Sequence, residues 1–316
     1  MKIGAVMFFT SDSMQPAELG IELEQRGFES LWVPEHTHIP LTRRTSPPSG
    51  GPLIRPYFEI YDPFVALSTA AAVTKNLKIG TGVCLIPQRD PIVTAKLVSS
   101  LDRVSNGRFL FGVGNGWNQD EIENHGTVFK TRHKLGRERI EAMKRIWTED
   151  EPEYHGELVN IEKMSQWPKP VQKPHPPIIV GGAIPYAARR AIAYGDGWIP
   201  RADRLAKDGV RVQIDQFREM AKEAGRDLAS CRSPSSACRR TLPGCASPRR
   251  SASIVSPSRC RPVGATSACR LSTVGRRSNG NWGAEPLRGL RPPLRLSLVA
   301  VLPARTAAPW RSHRAA

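Results

Sequence analysis

The segment VPEHTHIP, residues 33–40, places two histidines directly after an apolar stretch typical of a buried strand. His36 and His38 are two residues apart, so in an extended chain both side chains point to the same face. A histidine at this position could act as an acid or a base near neutral pH, or hydrogen-bond to a cofactor ring. The other histidines are scattered along the chain and supply no third metal ligand of matching spacing. We therefore expect no metal site, with His36 as the catalytic histidine and His38 packing within the loop.

Glycines end or interrupt two further apolar stretches. Gly82 lies within IGTGVCL, residues 79–85, where a glycine in a strand indicates close approach of a ligand or of other backbone. The segment GVGNGWNQDE, residues 112–121, joins glycines to Asn115, which could give a ligand neutral hydrogen bonds. By itself this segment is also consistent with an ordinary turn.

A third segment, IIVGGAIPYAARRA at residues 178–191, combines a strand, a Gly-Gly pair and the start of a helix. Backbone N–H groups and the helix dipole at such a junction favour a phosphate group. Arg189 and Arg190 follow on the helix, where solvated surface arginines are the alternative interpretation. The local pattern leaves phosphate binding and a plain turn equally open.

These segments belong to an alternating series of strand-like and helical patterns that predicts a parallel sheet with right-handed crossovers. Chemistry in such a fold lies at the carboxyl ends of the strands, which is where the histidines and the Gly-rich turns stand. A Pro/Gly-rich loop over residues 40–60 is long enough to indicate a functional loop. Predicted strands span residues 2–9, 30–35, 77–86, 108–116, 176–182 and 196–200, and predicted helices span 16–28, 62–74, 90–105, 132–149, 185–195 and 210–225.

Charge and cysteine content divide the chain into two parts. Residues 1–229 hold 30 Lys and Arg against 28 Asp and Glu, whereas residues 230–316 hold 16 Arg, no Lys and one acid. Five of the six cysteines also lie in the second part. The nearly neutral first part, with a single cysteine, is typical of a cytoplasmic enzyme, and no apolar run reaches membrane-spanning length. We predict a barrel domain over 1–229 and a disordered tail over 230–316.

We interpret the tail as a stretch read out of frame, because its Arg-Ser-Pro-Ala-Cys bias is typical of a GC-rich gene in the wrong frame. With suitable codons, a frame one base earlier turns residues 231–243 into a strand and a helix start, and residues 247–262 into a further strand. Resequencing around codon 230 tests this hypothesis. Two alternatives stay open: a basic arm that binds nucleic acid non-specifically, and an inactive truncated fragment.

The segments EQRGFESLWVPEHTHIP, IGTGVCL, DPIVTAK, GRFLFGVGNGWNQDE, WPKPVQKPHPPIIVGG and GDGWIP occur in this order between residues 1 and about 229. Together they resemble the bacterial luciferase-like monooxygenase superfamily, most of all its actinobacterial branch of coenzyme F420-dependent oxidoreductases. The resemblance implies an α/β fold, a TIM (β/α)8-type barrel, here incomplete at about six βα units. It also implies F420, or FMN in sister branches, at the carboxyl-terminal mouth of the barrel.

The family pattern carries over to particular residues. It implies an acid–histidine pair at Glu35 and His36, with His36 facing the cofactor ring and the substrate. It places a non-prolyl cis peptide behind the ring at Gly82–Val83. We expect Asn115, from its own position in a Gly-rich turn, to be a further cofactor-binding residue. The family pattern also implies that the phosphate of the cofactor contacts the glycine turn formed by Gly181, Gly182 and Ala183.

The implied activity is hydride transfer between the reduced deazaflavin and a small organic substrate, with His36 as the proton partner; an FMN-dependent monooxygenase is the alternative. Some sugar-phosphate-oxidising relatives carry a glutamate where this chain has Trp117, which speaks against that substrate class. The expected partner is a small-molecule substrate, with no membrane and no specific nucleic acid. A homodimer stays open.

Overall fold

The fold comes from a computed structural model that describes residues 4–48, 50–201, 209–226 and 297–299. All of them belong to one of the two units into which the chain divides; the other unit, residues 247–295, lies outside the described residues. The predicted tail over 230–316 is therefore described only at residues 297–299, and its predicted disorder and reading frame stay predictions.

The described strands are β1 (Gly4–Val6), β2 (Ser30–Val33), β3 (Lys78–Thr81), β4 (Cys84–Leu85), β5 (Phe109–Gly114), β6 (Tyr154–His155), β7 (Asn160–Ile161), β8 (Ile178–Gly181), β9 (Gly197–Ile199) and β10 (Ser297–Val299). The described α-helices are α1 (Pro16–Gln25), α2 (Pro56–Glu59), α3 (Pro63–Val73), α4 (Pro91–Val104), α5 (Gln119–Asn124), α6 (Arg132–Thr148), α7 (Tyr186–Tyr194) and α8 (Val210–Glu223).

The main sheet has the order β10-β1-β2-β3-β5-β8-β9, and β4 pairs with β5. Within this sheet the neighbouring strands β1, β2, β3, β5, β8 and β9 are all parallel, whereas β10 runs antiparallel to β1. The strands curl into an incomplete (β/α)8-type barrel, so the predicted fold class is confirmed. Strands β6 and β7 form a separate antiparallel hairpin.

Helix starts follow directly from local sequence. Asp62 and Asp90 each precede a proline, and each carboxylate caps its helix by accepting hydrogen bonds from backbone N–H groups of the first turn. The Asp62 carboxylate lies 2.8 Å from the N of Phe64, and that of Asp90 lies 2.8 Å from the N of Val93. Such caps stabilise a helix by about 1 kcal/mol each, which fixes the point where the chain leaves the loop and enters helix α3 or α4.

The apolar core forms two layers. A large cluster packs the helices against the outside of the sheet, and a smaller one centred on Trp32, Ile179 and Ile199 fills the barrel interior. Trp32 is fully buried and pairs in register with Gly80 of β3, where a β carbon would lie 2.6 Å from the indole ring. A β carbon on Gly112 would overlap the carbonyl oxygen of Thr81. The strand glycines therefore make room for one large aromatic residue and for close backbone packing.

The predicted elements are present apart from their ends, with four differences. The strand predicted over 77–86 is divided into β3 and β4 by a cis peptide between Gly82 and Val83. Helix α5 and the β6–β7 hairpin were not predicted, because both are too short to show a clear period. Within the loop over 40–60 lies the single turn α2. Strand β10 was also not predicted, since the tail was interpreted as disordered. Among the described residues no helix is long and apolar enough to cross a membrane.

Candidate active site

The residues predicted to carry chemistry lie where parallel strands end. Glu35 and His36 follow β2, Gly82 and Val83 separate β3 from β4, and Asn115 follows β5. Gly181 ends β8, and the turn through Gly182 and Ala183 leads to helix α7. Because the strands are parallel and adjacent, these groups share one edge of the sheet, the edge that holds active sites in (β/α)8 barrels.

His36 lies between an acid and two aromatic rings. Its Nδ1 is 2.8 Å from Oε2 of Glu121, and the exposed fractions of the two side chains are 8% and 0%. The imidazole is 5.3 Å from the ring of Tyr57 and 6.0 Å from the ring of Trp117, which stands edge-on to it. The histidine is therefore held on one side by a buried carboxylate and is flanked by apolar surface on the others.

Glu35 does not serve as the acid that contacts His36. Its Oε1 accepts a hydrogen bond of 2.6 Å from Nε of Arg89, and its Oε2 accepts one of 2.6 Å from the backbone N of Leu85. Arg89 also donates to Asp62 at 2.7 Å. The carboxylate of Glu35 is thus buried and neutralised, and it ties β2 to the segment after β4. The acid that contacts His36 is Glu121 of helix α5, and the catalytic role predicted for Glu35 stays a prediction.

The predicted cis peptide between Gly82 and Val83 is present. The side chain of Val83 packs against the strand ends on either side, because a β carbon on Gly181 would lie 2.5 Å from its Cγ1 and one on Gly114 would overlap its Cγ2. Glycine at both positions therefore lets Val83 stand at the mouth of the barrel. The valine supplies an apolar floor against which a flat ring could rest.

The turn after β8 is partly used by the fold itself. The N–H of Gly182 donates to the carbonyl of Ile199 at 3.1 Å, and the indole N–H of Trp198 donates to the carbonyl of Gly182 at 2.9 Å. The φ angle of Gly182 is 133°, which favours glycine, and a β carbon there would lie 3.8 Å from the guanidinium of Arg190. The N–H of Gly182 is therefore not available to a phosphate, whereas the arginine beside the turn could reach one.

Arg190 beside this turn interacts electrostatically with two basic side chains at the start of helix α6, Arg132 and His133. Burial lowers the pKa of Arg190, and burial together with Arg190 lowers the pKa of Arg132. Burial and the two arginines lower the pKa of His133 to about 4. The Nε atoms of both arginines are buried and have no hydrogen-bond partner among the described residues. An anionic group fits this cluster, because it would supply the missing partners and offset the mutual repulsion.

Asn115 links the end of β5 to this cluster. Its Nδ2 is 2.9 Å from Nδ1 of His133, and its side chain also hydrogen-bonds to Tyr194. Gly136 on helix α6 leaves space for it, since a β carbon there would overlap the amide oxygen of Asn115. Asn115 therefore holds His133 in place and brings the mouth of the barrel into contact with the basic cluster.

The loop over residues 40–60 is anchored across the same edge. The backbone N and the Nε of Arg44 bond to Asp120 of helix α5 at 2.7 and 2.6 Å, and its guanidinium also pairs with Glu123. Arg201, after β9, donates to the carbonyl of Pro48 at 2.8 Å. The loop thus lies over the mouth and delivers Tyr57 to His36.

His38 takes part in a separate polar cluster. Its Nδ1 is 3.0 Å from the hydroxyl of Thr37, and that hydroxyl is 2.7 Å from Nε2 of His125. Asn124 bonds to the other ring nitrogen of His38 at 2.9 Å. Within the described part of the chain, no group of three or more His, Cys, Asp or Glu side chains is placed to hold a metal ion.

Sequence reasoning missed Glu121, Tyr57 and the basic residues Arg132 and His133. The first turn of helix α6 holds basic residues and no acid, although the helix dipole favours acids there. This unusual charge at the helix start was visible in the sequence and could have indicated an anion-binding site. Glu121 and Tyr57 carried no comparable signal, because only the folding of α5 and of the loop brings them to His36.

Comparison with known proteins is consistent with this geometry. A model of the luciferase-like monooxygenase family matches residues 15–241. An uncharacterized protein of Mycobacterium tuberculosis is 41% identical over 235 residues, which make up 72% of this chain and 80% of that protein. The FMNH2-dependent dimethylsulfone monooxygenase of Pseudomonas putida is 29% identical over 157 residues, 49% of this chain and 42% of that enzyme.

Among solved structures, an F420-dependent secondary alcohol dehydrogenase in complex with an F420-acetone adduct superimposes with a TM-score of 0.57 at 26% identity. The match covers 72% of this chain and 67% of that one. The family model spans well over half of the chain, and it includes the strand ends that carry His36, the cis peptide and the Gly-Gly turn. The chain belongs to the luciferase-like monooxygenase family.

Proposed function

We propose that the protein is a coenzyme F420-dependent oxidoreductase that transfers a hydride between the reduced deazaflavin and a small organic substrate. The observation that carries this proposal is the pair of buried Nε atoms of Arg132 and Arg190, which lack partners among the described residues; Arg190 lies beside the Gly182 turn. An anionic cofactor bound there could extend its ring along the strand ends towards Val83 and His36.

The residues fit the group in three respects. The basic cluster suits its phosphate, Val83 offers an apolar surface to its ring, and the half-buried Trp117 and Tyr57 shield the region around His36 from water. A bound deazaflavin would supply the hydride chemistry. His36 would hold or accept the proton that balances the hydride, at the ring nitrogen not engaged by Glu121.

The substrate proposed for this site is uncharged. Two carboxylates of this region are engaged, Glu35 with Arg89 and Glu121 with His36 itself, and the rings of Tyr57 and Trp117 lie near the imidazole. Such surroundings favour a small apolar molecule with one polar group that can hydrogen-bond to the imidazole.

FMN is the second candidate cofactor, because it carries a phosphate and a flat ring that would fit the same groups. The similarity to the P. putida enzyme, whose name specifies FMNH2, favours it. The similarity to the alcohol dehydrogenase solved with an F420 adduct favours the deazaflavin.

Fluorescence titration of the purified full chain with F420, and separately with FMN, tests the proposal. We expect F420 to bind about tenfold or more tightly than FMN, a difference of roughly 1.4 kcal/mol. Tighter binding of FMN would establish the alternative, and binding of neither cofactor would refute both. Steady-state reduction of short ketones or oxidation of secondary alcohols, followed by F420 absorbance, then tests the substrate class.

A further inference from the structure

The contact between His36 and Glu121 joins two segments 85 residues apart in the chain. His36 stands after β2 and Glu121 lies within helix α5, so the contact exists only when the barrel is assembled. Both side chains are withdrawn from solvent, with the carboxylate fully buried. A charge in this position is costly unless it is paired.

The second carboxylate oxygen of Glu121 adds to the cost of burying this charge. Its Oε1 is buried and has no hydrogen-bond partner within the part of the chain that the structure describes. His36 is thus the group that compensates the carboxylate. Glu35 differs, because its charge is already met by Arg89 and by the N–H of Leu85.

The contact also decides which ring nitrogen is available for chemistry. An ionised carboxylate only accepts hydrogen bonds, so the proton between the two groups sits on Nδ1 of His36. The Nε2 atom is then the one that gives or takes a proton. Helix α5 also has a second attachment, because Asp120 and Glu123 pair with Arg44.

We infer that Glu121 is a positioning residue for His36: it fixes the Nδ1–H tautomer and the orientation of the ring. This role rests on the proposed function, since it acts through the histidine assigned there to proton transfer. It can nevertheless be measured on the chain alone, without a cofactor or a substrate.

Long-range ¹H–¹⁵N spectra of the full chain labelled with ¹⁵N-histidine report the tautomer and the charge of each ring. The chain has seven histidines, and the spectrum of His36→Gln identifies the signal of His36. We expect neutral His36 to carry its proton on Nδ1. A spectrum with the proton on Nε2 and a bare Nδ1 overturns the inference without any variant at Glu121.

Glu121→Gln removes the charge and keeps the size of the side chain. We expect the neutral ring of His36 to populate both tautomers in this variant, because a glutamine amide can either accept a hydrogen bond from Nδ1–H or donate one to a bare Nδ1. The other titratable groups of this corner, His38, His125, Tyr57 and the Glu35–Arg89 pair, are the same in all variants. Glu123→Gln is the matched control, since it removes a carboxylate from the same helix and should leave His36 unchanged.

A His36 ring that stays wholly in the Nδ1–H form in Glu121→Gln, or an equal change of tautomer in Glu123→Gln, refutes the role of Glu121. If Glu121→Gln does not fold, Glu121→Asp, which keeps the charge, should retain the Nδ1–H tautomer. Cofactor titration is scored separately. A chain that binds neither F420 nor FMN but shows the expected tautomer would refute the proposed function and leave the His36–Glu121 interaction standing.

Discussion

Replacement of Arg190 by methionine tests the basic cluster as the anchor of an anionic cofactor. Arg190 is half-buried, and its Nε has no partner among the described residues, so the free protein gains little from its charge. A charge-assisted hydrogen bond to a phosphate contributes about 1.5–3 kcal/mol. Loss of that bond predicts that the dissociation constant of F420 rises about 10- to 100-fold, with the lower end expected because Arg132 and His133 remain.

The stability of the cofactor-free chain should change little. Methionine keeps most of the aliphatic length of arginine, and its introduction removes the repulsion between Arg190 and Arg132. We expect the free energy of unfolding of the cofactor-free variant to fall by no more than about 1 kcal/mol. A large loss of stability would instead show that Arg190 is a structural residue.

Arg189→Met provides the matched control, because Arg189 is exposed and adjacent on the same helix. Fluorescence titration of F420 into both variants, at low and at moderate ionic strength, separates a specific contact from general charge. Equal weakening by Arg189→Met and Arg190→Met would refute a built anion site. Affinity that is unaffected by Arg190→Met would refute the assignment of the phosphate to this turn.

Three further outcomes follow from the packing and the charges. Gly112→Ala should lower the free energy of unfolding, measured in urea, by more than about 2 kcal/mol, because its β carbon meets a backbone carbonyl. Gly126→Ala is the control, since φ is 77° there and a β carbon meets nothing within 4 Å; it should lower the free energy of unfolding by only about 1 kcal/mol. Glu35→Gln should cost about 3 kcal/mol in the same assay, since it leaves the cation of Arg89 poorly compensated, yet should leave the tautomer of His36 unchanged. The pKa of His133 is lowered to about 4, so between about pH 6.5 and 4 the unfolded chain binds more protons and stability falls as the pH falls. The variant His133→Asn should weaken this pH dependence of stability, by less than about 1 kcal/mol because the ring is partly exposed. A curve of urea midpoint against pH that is the same in the variant would contradict the lowered pKa of His133.

The order of the strands could be predicted because each carries its own signal. An apolar run followed by Gly, Asn or His marks the end of β2, β5 and β8, and Asp-Pro pairs mark the starts of α3 and α4. These are local features, and parallel pairing then follows from the alternation of strands and helices. The short helix α5 carries no such period.

The partners of the site residues could not be predicted in this way, because they depend on contacts between distant segments. The sequence places Glu35 next to His36, yet Glu35 bonds to Arg89 and to Leu85, some 50 residues away. The two side chains thus make separate contacts although they are adjacent in the sequence. The acid that reaches His36 had to come from another element, and the sequence contains too many acids to say which one.

The direction of strand β10 bears on where function can reside. Ser297–Val299 pairs with β1 in antiparallel register, so its carboxyl end lies at the edge of the sheet where the parallel strands begin. The candidate site lies at the other edge, where β2, β5 and β8 end. A parallel strand next to β1, as in a complete (β/α)8 barrel, would instead have ended at the site. Among the described residues, the groups proposed to carry the chemistry lie between the end of β2 and helix α7, whereas strand β10 ends at the opposite edge of the sheet.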